Sequence, residues 1–296
     1  MVRENYFEHL DNMKFDAKVE YNRLRELVKL ADNGDYSFID IFSHSDLFIK
    51  YPNRNGFISY ADIITYFENR YISGSDELLF IFSEFIIDFL NYLDIFNSEL
   101  LSEYLPVNEE SYTALEGIEI GIRKNVSRFL DLSNHELVKL ENGRQIIVEK
   151  NVYASQVSQI ISETNIQEAM KVLEYDHFEN KGNIQRKQEI LISLASYLEP
   201  LRAELNSSEE LKEVLKVNNK KIIAVEKLFE MFNQFGLRHN NNKQYHADLT
   251  DEELEQWYDD IYTSTLFVIL SLDEARILPK LAQARVDWAE QKKQIE

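Results

Sequence analysis

Twelve residues from Phe235 to His246 contain one Arg, two His, three consecutive Asn, a Lys, a Gln and a Tyr, the densest polar constellation in the chain. An Arg can hold a phosphate through two parallel hydrogen bonds, and a His can move a proton near neutral pH. Together they are the minimum for cleaving RNA through its own 2′-hydroxyl, with no metal required. The plainer reading is that Arg238 pairs with acids of the following helix and that His239 and His246 are solvated.

The surrounding charge bears on that choice. From Leu211 to Lys243 seven basic residues (Lys212, Lys216, Lys220, Lys221, Lys227, Arg238, Lys243) face three acids (Glu213, Glu226, Glu230), in a chain whose formal charge is -20. Such a local basic stretch can attract a phosphate backbone, with Lys220, Lys221 and Lys243 as contacts and Tyr245 as a base-stacking platform. Asp248, Asp251, Glu252, Glu253 and Glu255 follow at once and oppose RNA on that side. Elsewhere the negative charge repels nucleic acid and anionic lipid, so a polyanion site must be local.

Other chemistries find less material. His9, His44, His135 and His177 have no His or carboxylate at i+3 or i+4 forming a ligand set, so no metal and no cofactor are expected. Ser43-His44-Ser45-Asp46 mixes triad residue types, but sequence neighbours rarely meet triad geometry. Asp32-Asn33-Gly34-Asp35 lacks the rest of a calcium loop and reads as a helix-ending turn. With 8 Gly there is no phosphate loop or dinucleotide fingerprint. The absence of cysteine excludes disulfides and thiolate chemistry and fits a cytoplasmic protein.

Helices must position these residues. The chain has 296 residues, 44% of them hydrophobic, with only 8 Gly and 4 Pro, too few turn residues for an all-β fold. Apolar periodicity predicts helices near Phe15 to Ala31, Ala61 to Tyr71, Leu78 to Phe96 and Ser111 to Leu130, the last capped by Asn108 or Ser111. Leu78 to Phe96 is the most apolar stretch, but Glu84, Asp88, Asn91 and Asp94 interrupt it. It reads as a core helix with Leu78, Phe82, Phe85, Phe89, Leu93 and Phe96 on one face, and no membrane span is expected. The load of Phe and Tyr in this half reads as helix packing.

Asn142-Gly143 between Glu136 to Glu141 and Arg144 to Glu149 predicts one β-hairpin with a two-residue type I′ turn. Helices return over Val152 to Ile161, Ile166 to Asn180, Ile184 to Leu205, Lys220 to Phe235 and Asp251 to Leu272. Leu191, Leu194, Leu198, Leu201 and Leu205 form a bundle seam. Gly236 is placed as a left-handed C-cap, and Thr250 with Glu253 as a capping box. The fold class is mainly all-α: a helical N-terminal region (1–134), a β-hairpin (135–150) and a C-terminal helical bundle (151–296).

From about His135 to Leu272 the chain resembles the C-terminal portion of abortive-infection-like proteins carrying a HEPN domain. The pieces that carry the resemblance are the hairpin Leu137 to Glu149, Asp176 to Asn183 leading into Arg186 to Leu191, Leu198 to Arg202, and Phe232 to Asn241. The resemblance implies a HEPN-like bundle that forms a homodimer with a composite site. It also implies a metal-independent endoribonuclease of antiviral defence or a toxin-antitoxin system, under an antitoxin or phage-derived protein trigger. It assigns Arg238 to the phosphate, His246 to proton transfer and Asn240 to a supporting hydrogen bond. Seven residues separate Arg238 from His246, where the family has four to six. Three arrangements therefore stand open: a longer loop delivers His246, His239 replaces it, or the bundle is a non-catalytic interaction or sensor module that dimerises and binds a protein partner.

Overall fold

The computed structural model describes residues 14–30, 37–104, 109–140, 142–238 and 249–295, with side chains at these positions except 94–112, 214 and 289–295. It is mainly helical and divides into two compact units, Met1–Lys150 and Asn151–Glu296.

In the first unit, α1 (Ala17–Lys29) is followed by α2 (Phe38–Ser43), α3 (Ser45–Lys50), α4 (Tyr60–Arg70), α5 (Asp76–Tyr104) and α6 (Glu109–Leu132). Short polar side chains set the starts. Asp16 accepts the Val19 N–H at 3.0 Å, and Ser37 with Asp40 closes a full capping box on α2. The expected core face of α5 is buried from Leu78 through Leu93. Its rings join those of α2 and α3 in one aromatic cluster, with Phe42 and Phe89 centroids 4.5 Å apart and Tyr51 and Phe89 4.9 Å apart. The turn expected at 32–35, the cap Asn108, and the side chains of Asp94 and Phe96 lie outside the described residues; Ser111 is not a cap, because α6 already begins at Glu109 and Ser111 stands inside its first turn.

Three of the polar residues that interrupt α5 grip a neighbouring loop, strand or helix. Glu84 accepts the Ile147 N–H at 2.6 Å, Asp88 accepts from Tyr51 and from Asn53 (2.7 Å), and Asn91 bridges Gln145 (2.9 Å) and Arg123 (3.0 Å). They satisfy backbone and side-chain groups that burial would otherwise leave orphaned. The strands β1 (His135–Lys139) and β2 (Gln145–Glu149) pair antiparallel, Leu137 opposite Ile147, and pack on α5 and α6. Their turn differs from the expected type I′. Lys139 pairs with Gln145, Leu140 N–H donates to the Arg144 carbonyl, Gly143 N–H donates to the Leu140 carbonyl, and Gly143 has positive φ (84°). This is a three-residue loop closed by a glycine bulge.

The second unit contains α7 (Val152–Ser162), α8 (Ile166–Glu174), α9 (Ile184–Leu198), α10 (Arg202–Ser207), α11 (Glu209–Val214), β3 (Val217–Asn218), β4 (Lys221–Ile222), α12 (Ile223–Gln234) and α13 (Asp251–Ile295). Its core is built from Val157 and Ile161 of α7, the α9 seam, Phe229 and Phe232 of α12, and Tyr258, Ile261 and Tyr262 of α13. Four boundaries depart from expectation. The helix expected over Ile184 to Leu205 ends at Leu198, because Pro200 forces a 3-10 turn over Glu199–Leu201 before α10 begins. The helix expected from Ile166 to Asn180 stops at Glu174, and Phe178–Asn180 forms a separate 3-10 turn. Lys220 is not helical: Asn219 (φ 49°) and Lys220 (φ 65°) are the turn of a second small hairpin, with Asn218 opposite Lys221. These are the two successive positive-φ residues that type I′ geometry needs. Finally, α13 continues past Leu272 to Ile295 with Pro279 inside it.

Candidate nucleic-acid interface

The chain reaches Arg238 through a fixed stop. α12 ends in a Schellman motif: Gly236 has φ 69°, its N–H donates to the Asn233 carbonyl, and Leu237 N–H donates to the Phe232 carbonyl at 2.8 Å. Leu237 and Phe232 are both buried, so the residue after them has a defined exit direction. On the far side of the polar loop, Thr250 and Glu253 exchange the two hydrogen bonds of a capping box at the start of α13 (2.9 and 3.3 Å).

Arg238 folds back from that exit. Its Nε lies 2.5 Å from Glu199 Oε2, its Nη1 donates to Asn233 Oδ1 at 3.2 Å, and its guanidinium carbon stands 5.4 Å from the Phe229 ring centre. Only 13% of the side chain is exposed. The sequence offered Arg238 an acid of the following helix, but the acid it meets is Glu199 of the 3-10 turn.

Two further cations share this edge of α12. Arg202 lies 4.5 Å from the same Phe229 ring and donates to both oxygens of Glu226 (3.0 and 3.1 Å), and Lys221 reaches Glu226 at 3.1 Å. Burial pushes the Glu226 carboxyl up, but hydrogen bonds from Lys221, Arg202 and Asn206 outweigh it, and the group is held below its usual range. The Glu226–Phe229 edge therefore gathers three cations against two carboxylates, Glu199 and Glu226.

Of the residues singled out from sequence, Arg238 and Lys221 are brought to this edge, and Lys220 stands exposed at the tip of the second hairpin. His239, Asn240, Lys243, Tyr245 and His246 lie outside the described residues. Arg202 and Glu199 were not read as site residues, although both stand in the Leu198 to Arg202 segment that carried the resemblance. Their signal was Pro200, which breaks the helix and turns the two side chains toward α12. Lys227 pairs with Glu230 (2.6 Å) and Lys212 with Glu209 (2.7 Å), so much of the basic stretch is locally neutralised. No protein-family model, curated protein or solved structure matches this chain.

Two other polar centres stand out. In the second unit the buried Lys187 contacts Glu255 and Asp259, each at 2.7 Å, and lies 5.2 Å from the Tyr175 ring centre. Tyr175 donates to Asp259 at 2.8 Å and stacks on Tyr262 at 3.9 Å. Burial, with the neighbouring Asp259 and Asp176 carboxylates, pushes both phenols far above their ordinary range. In the first unit a cavity of about 450 Å³ is lined by Tyr51, Tyr66, Glu84, Asp88 and Arg144 among others. Sequence reading assigned the first 134 residues no role; the available signal was Glu84 and Asp88 inside the most apolar helix. Among the described residues, no three His, Asp or Glu side chains are grouped to hold a metal ion, and no helix is long and apolar enough to cross a membrane.

Proposed function

We propose that the second unit is a HEPN-type bundle that binds and cuts RNA without a metal, in antiviral defence or a toxin-antitoxin system. One observation supports the reading: two chain segments that bear the resemblance, Leu198 to Arg202 and Phe232 to Asn241, bring Arg202 and Arg238 together against the Phe229 ring. In this reading Arg238, braced by Glu199 and Asn233, holds the non-bridging phosphate oxygens, with Arg202 and Lys221 guiding the backbone toward it. The substrate 2′-oxygen attacks phosphorus, its proton passes to His246 or His239, and a proton returns to the departing 5′-oxygen. The products are a 2′,3′-cyclic phosphate and a 5′-hydroxyl.

A second reading has its own support. Arg238 is largely covered and ion-paired, and several lysines of the segment are matched by carboxylates, which suits a non-catalytic module that binds a protein partner.

The test is cleavage of total cellular RNA by the purified full chain in EDTA. Cyclic-phosphate ends that fall at least about 100-fold with Arg238→Ala are expected, with Arg238→Lys failing to restore them because it lacks the planar fork. His239→Ala and His246→Ala then identify the proton carrier. Absence of both cleavage and RNA retention by correctly folded wild type rejects the ribonuclease reading in favour of the interaction module.

A further inference from the structure

α13 leaves the core while still helical. Every residue from Arg276 to Trp288 is exposed, and the helix is tied to the body there through the Arg276–Glu204 ion pair and Leu278 at the edge of a groove. Yet this segment is not polar all round. Phe267, Leu270, Glu274, Ile277, Leu281, Ala284 and Trp288 follow spacings of three and four without a break, a 3.5-residue repeat over three heptads with one polar member. Leu281 is 59% exposed and Trp288 77% exposed. Pro279, which falls between seam positions, removes a donor to the Ala275 carbonyl but leaves the stripe in phase.

The stripe begins inside a groove. Ile160 of α7, Leu211 of α11, Leu215, and Phe267, Leu270 and Leu278 of α13 line an open trough of about 670 Å³. The charged residues of its lining are all acids, Glu163, Glu210, Asp273 and Glu274, beside the neutral Gln156, Gln159 and Ser271. The arm beyond it is basic: between Arg276 and Lys293 the sequence holds five cations and two acids, in a chain of net charge -20. Arg276 is tied to Glu204 on the body, which leaves Lys280 and Arg285 as the described cations of the arm proper.

We infer that the occupant of this groove is the α13 arm of a second copy of the chain, laid antiparallel and exchanged across a two-fold axis. A heptad stripe is the geometry of helix paired with helix, and it runs unbroken from groove to arm, so one surface serves both halves of a self-complementary contact. The charges choose the direction. Antiparallel pairing sets Lys280 and Arg285 of each copy against the acids of the other's groove, whereas parallel pairing sets basic arm against basic arm. The inference rests on the stripe and its charges and holds whether or not the chain cuts RNA.

Sedimentation equilibrium of the full chain tests it. The expected mass is twice 35.0 kDa, with Leu281→Asp and Trp288→Glu giving monomers whose far-UV spectrum and melting temperature match wild type, since neither side chain is part of the folded core. Lys280→Glu with Arg285→Glu is expected to weaken association about tenfold, and mixing with a Glu163→Lys, Glu210→Lys copy to restore it. Because the chain has no cysteine, a Trp288→Cys copy mixed with a Leu215→Cys copy reports orientation: a disulfide between the two supports the antiparallel pair. Trp288→Cys linking rapidly to itself overturns that arrangement. A wild-type monomer well above micromolar concentration, or a dimer untouched by Leu281→Asp, overturns the exchange and leaves the groove to another protein.

Discussion

Lys187 lies one turn into α9 with its ammonium between two carboxylates of α13 and beside the Tyr175 ring. A cation taken this far from water costs free energy unless it is paired, and Glu255 and Asp259 take two of its three donors beside the Tyr175 ring, while Glu255 also accepts the Gly182 N–H at 2.8 Å. Burial pushes the Glu255 carboxyl up, but the Gly182 N–H and the Lys187 ammonium overcome it and keep the group ionised. Lys187→Met keeps the aliphatic stem and deletes the charge, leaving the two acids facing each other. It is expected to destabilise the second unit by about 2 kcal/mol, read as a lowered urea midpoint at unchanged slope. An unchanged midpoint would show that the knot merely neutralises itself. Arg238 is built the same way: its partner Glu199 is 42% exposed, as Asp259 beside Lys187 is 50% exposed, so water can reach one carboxylate of each pair when the cation is removed.

At the scale of elements, α6 carries Gly117 and Gly121 in helical conformation, with nothing within 4 Å of where a Cβ would stand. Gly121→Ala therefore removes backbone freedom from the unfolded chain without strain in the folded one, and a gain of about 0.5–1 kcal/mol is expected, measured by thermal or denaturant unfolding. A loss of stability would mean that the helix face is covered by something else. Elements with strong periodicity were legible from sequence: α1, α4, α6 and α7 lie within two residues of their expected bounds, as do the starts of α5, α9 and α13 and the end of α12. The missed features have local causes. Asn142-Gly143 satisfies two turn geometries, and the packing of β2 on α5 selects the longer one. Asn219-Lys220 carries no glycine, so its left-handed pair gave no signal until Asn206 was seen to accept the Ile222 N–H at 3.1 Å and hold β4 in place. The end of α13 was hidden because burial stops near Ala275 and Pro279 reads as a terminator, although the heptad spacing runs on. For the candidate site the sequence named Arg238 and Lys221, but not Glu199 and Arg202, whose meeting with α12 depends on tertiary packing.

Across the whole molecule the same residue type reports on both units. Burial pushes Tyr60 in the first unit and Tyr258 in the second up to about 12, and Tyr21, Tyr51, Tyr175 and Tyr262 rise further, by burial first and neighbouring carboxylates second. A phenol whose pKa is higher in the folded state favours folding fully below its unfolded value near 10, and that stability is lost as pH rises from there toward the folded pKa. Stability is expected to be level from about pH 7 to 9 and to fall steeply above about pH 10, with phenolate absorbance from these residues appearing only as the units unfold. Phenolate signal from all the tyrosines at ordinary pH in a still-folded chain would contradict the burial.

The second unit joins its beginning to its end: α7 packs on α13, and Tyr175 and Tyr262 stack across a long stretch of intervening sequence. A ribosome releases the chain in the opposite spirit, one end first. The first unit has all its helices and its hairpin in hand by Lys150 and can close while synthesis continues. The second must then wait for α13, roughly 5–20 s behind Tyr175 at ordinary elongation rates, with the apolar faces of α7, α8 and α9 uncovered. During that interval the nascent chain is most in need of a chaperone, and a stop codon anywhere before Tyr262 leaves a finished first unit attached to an unfinishable second.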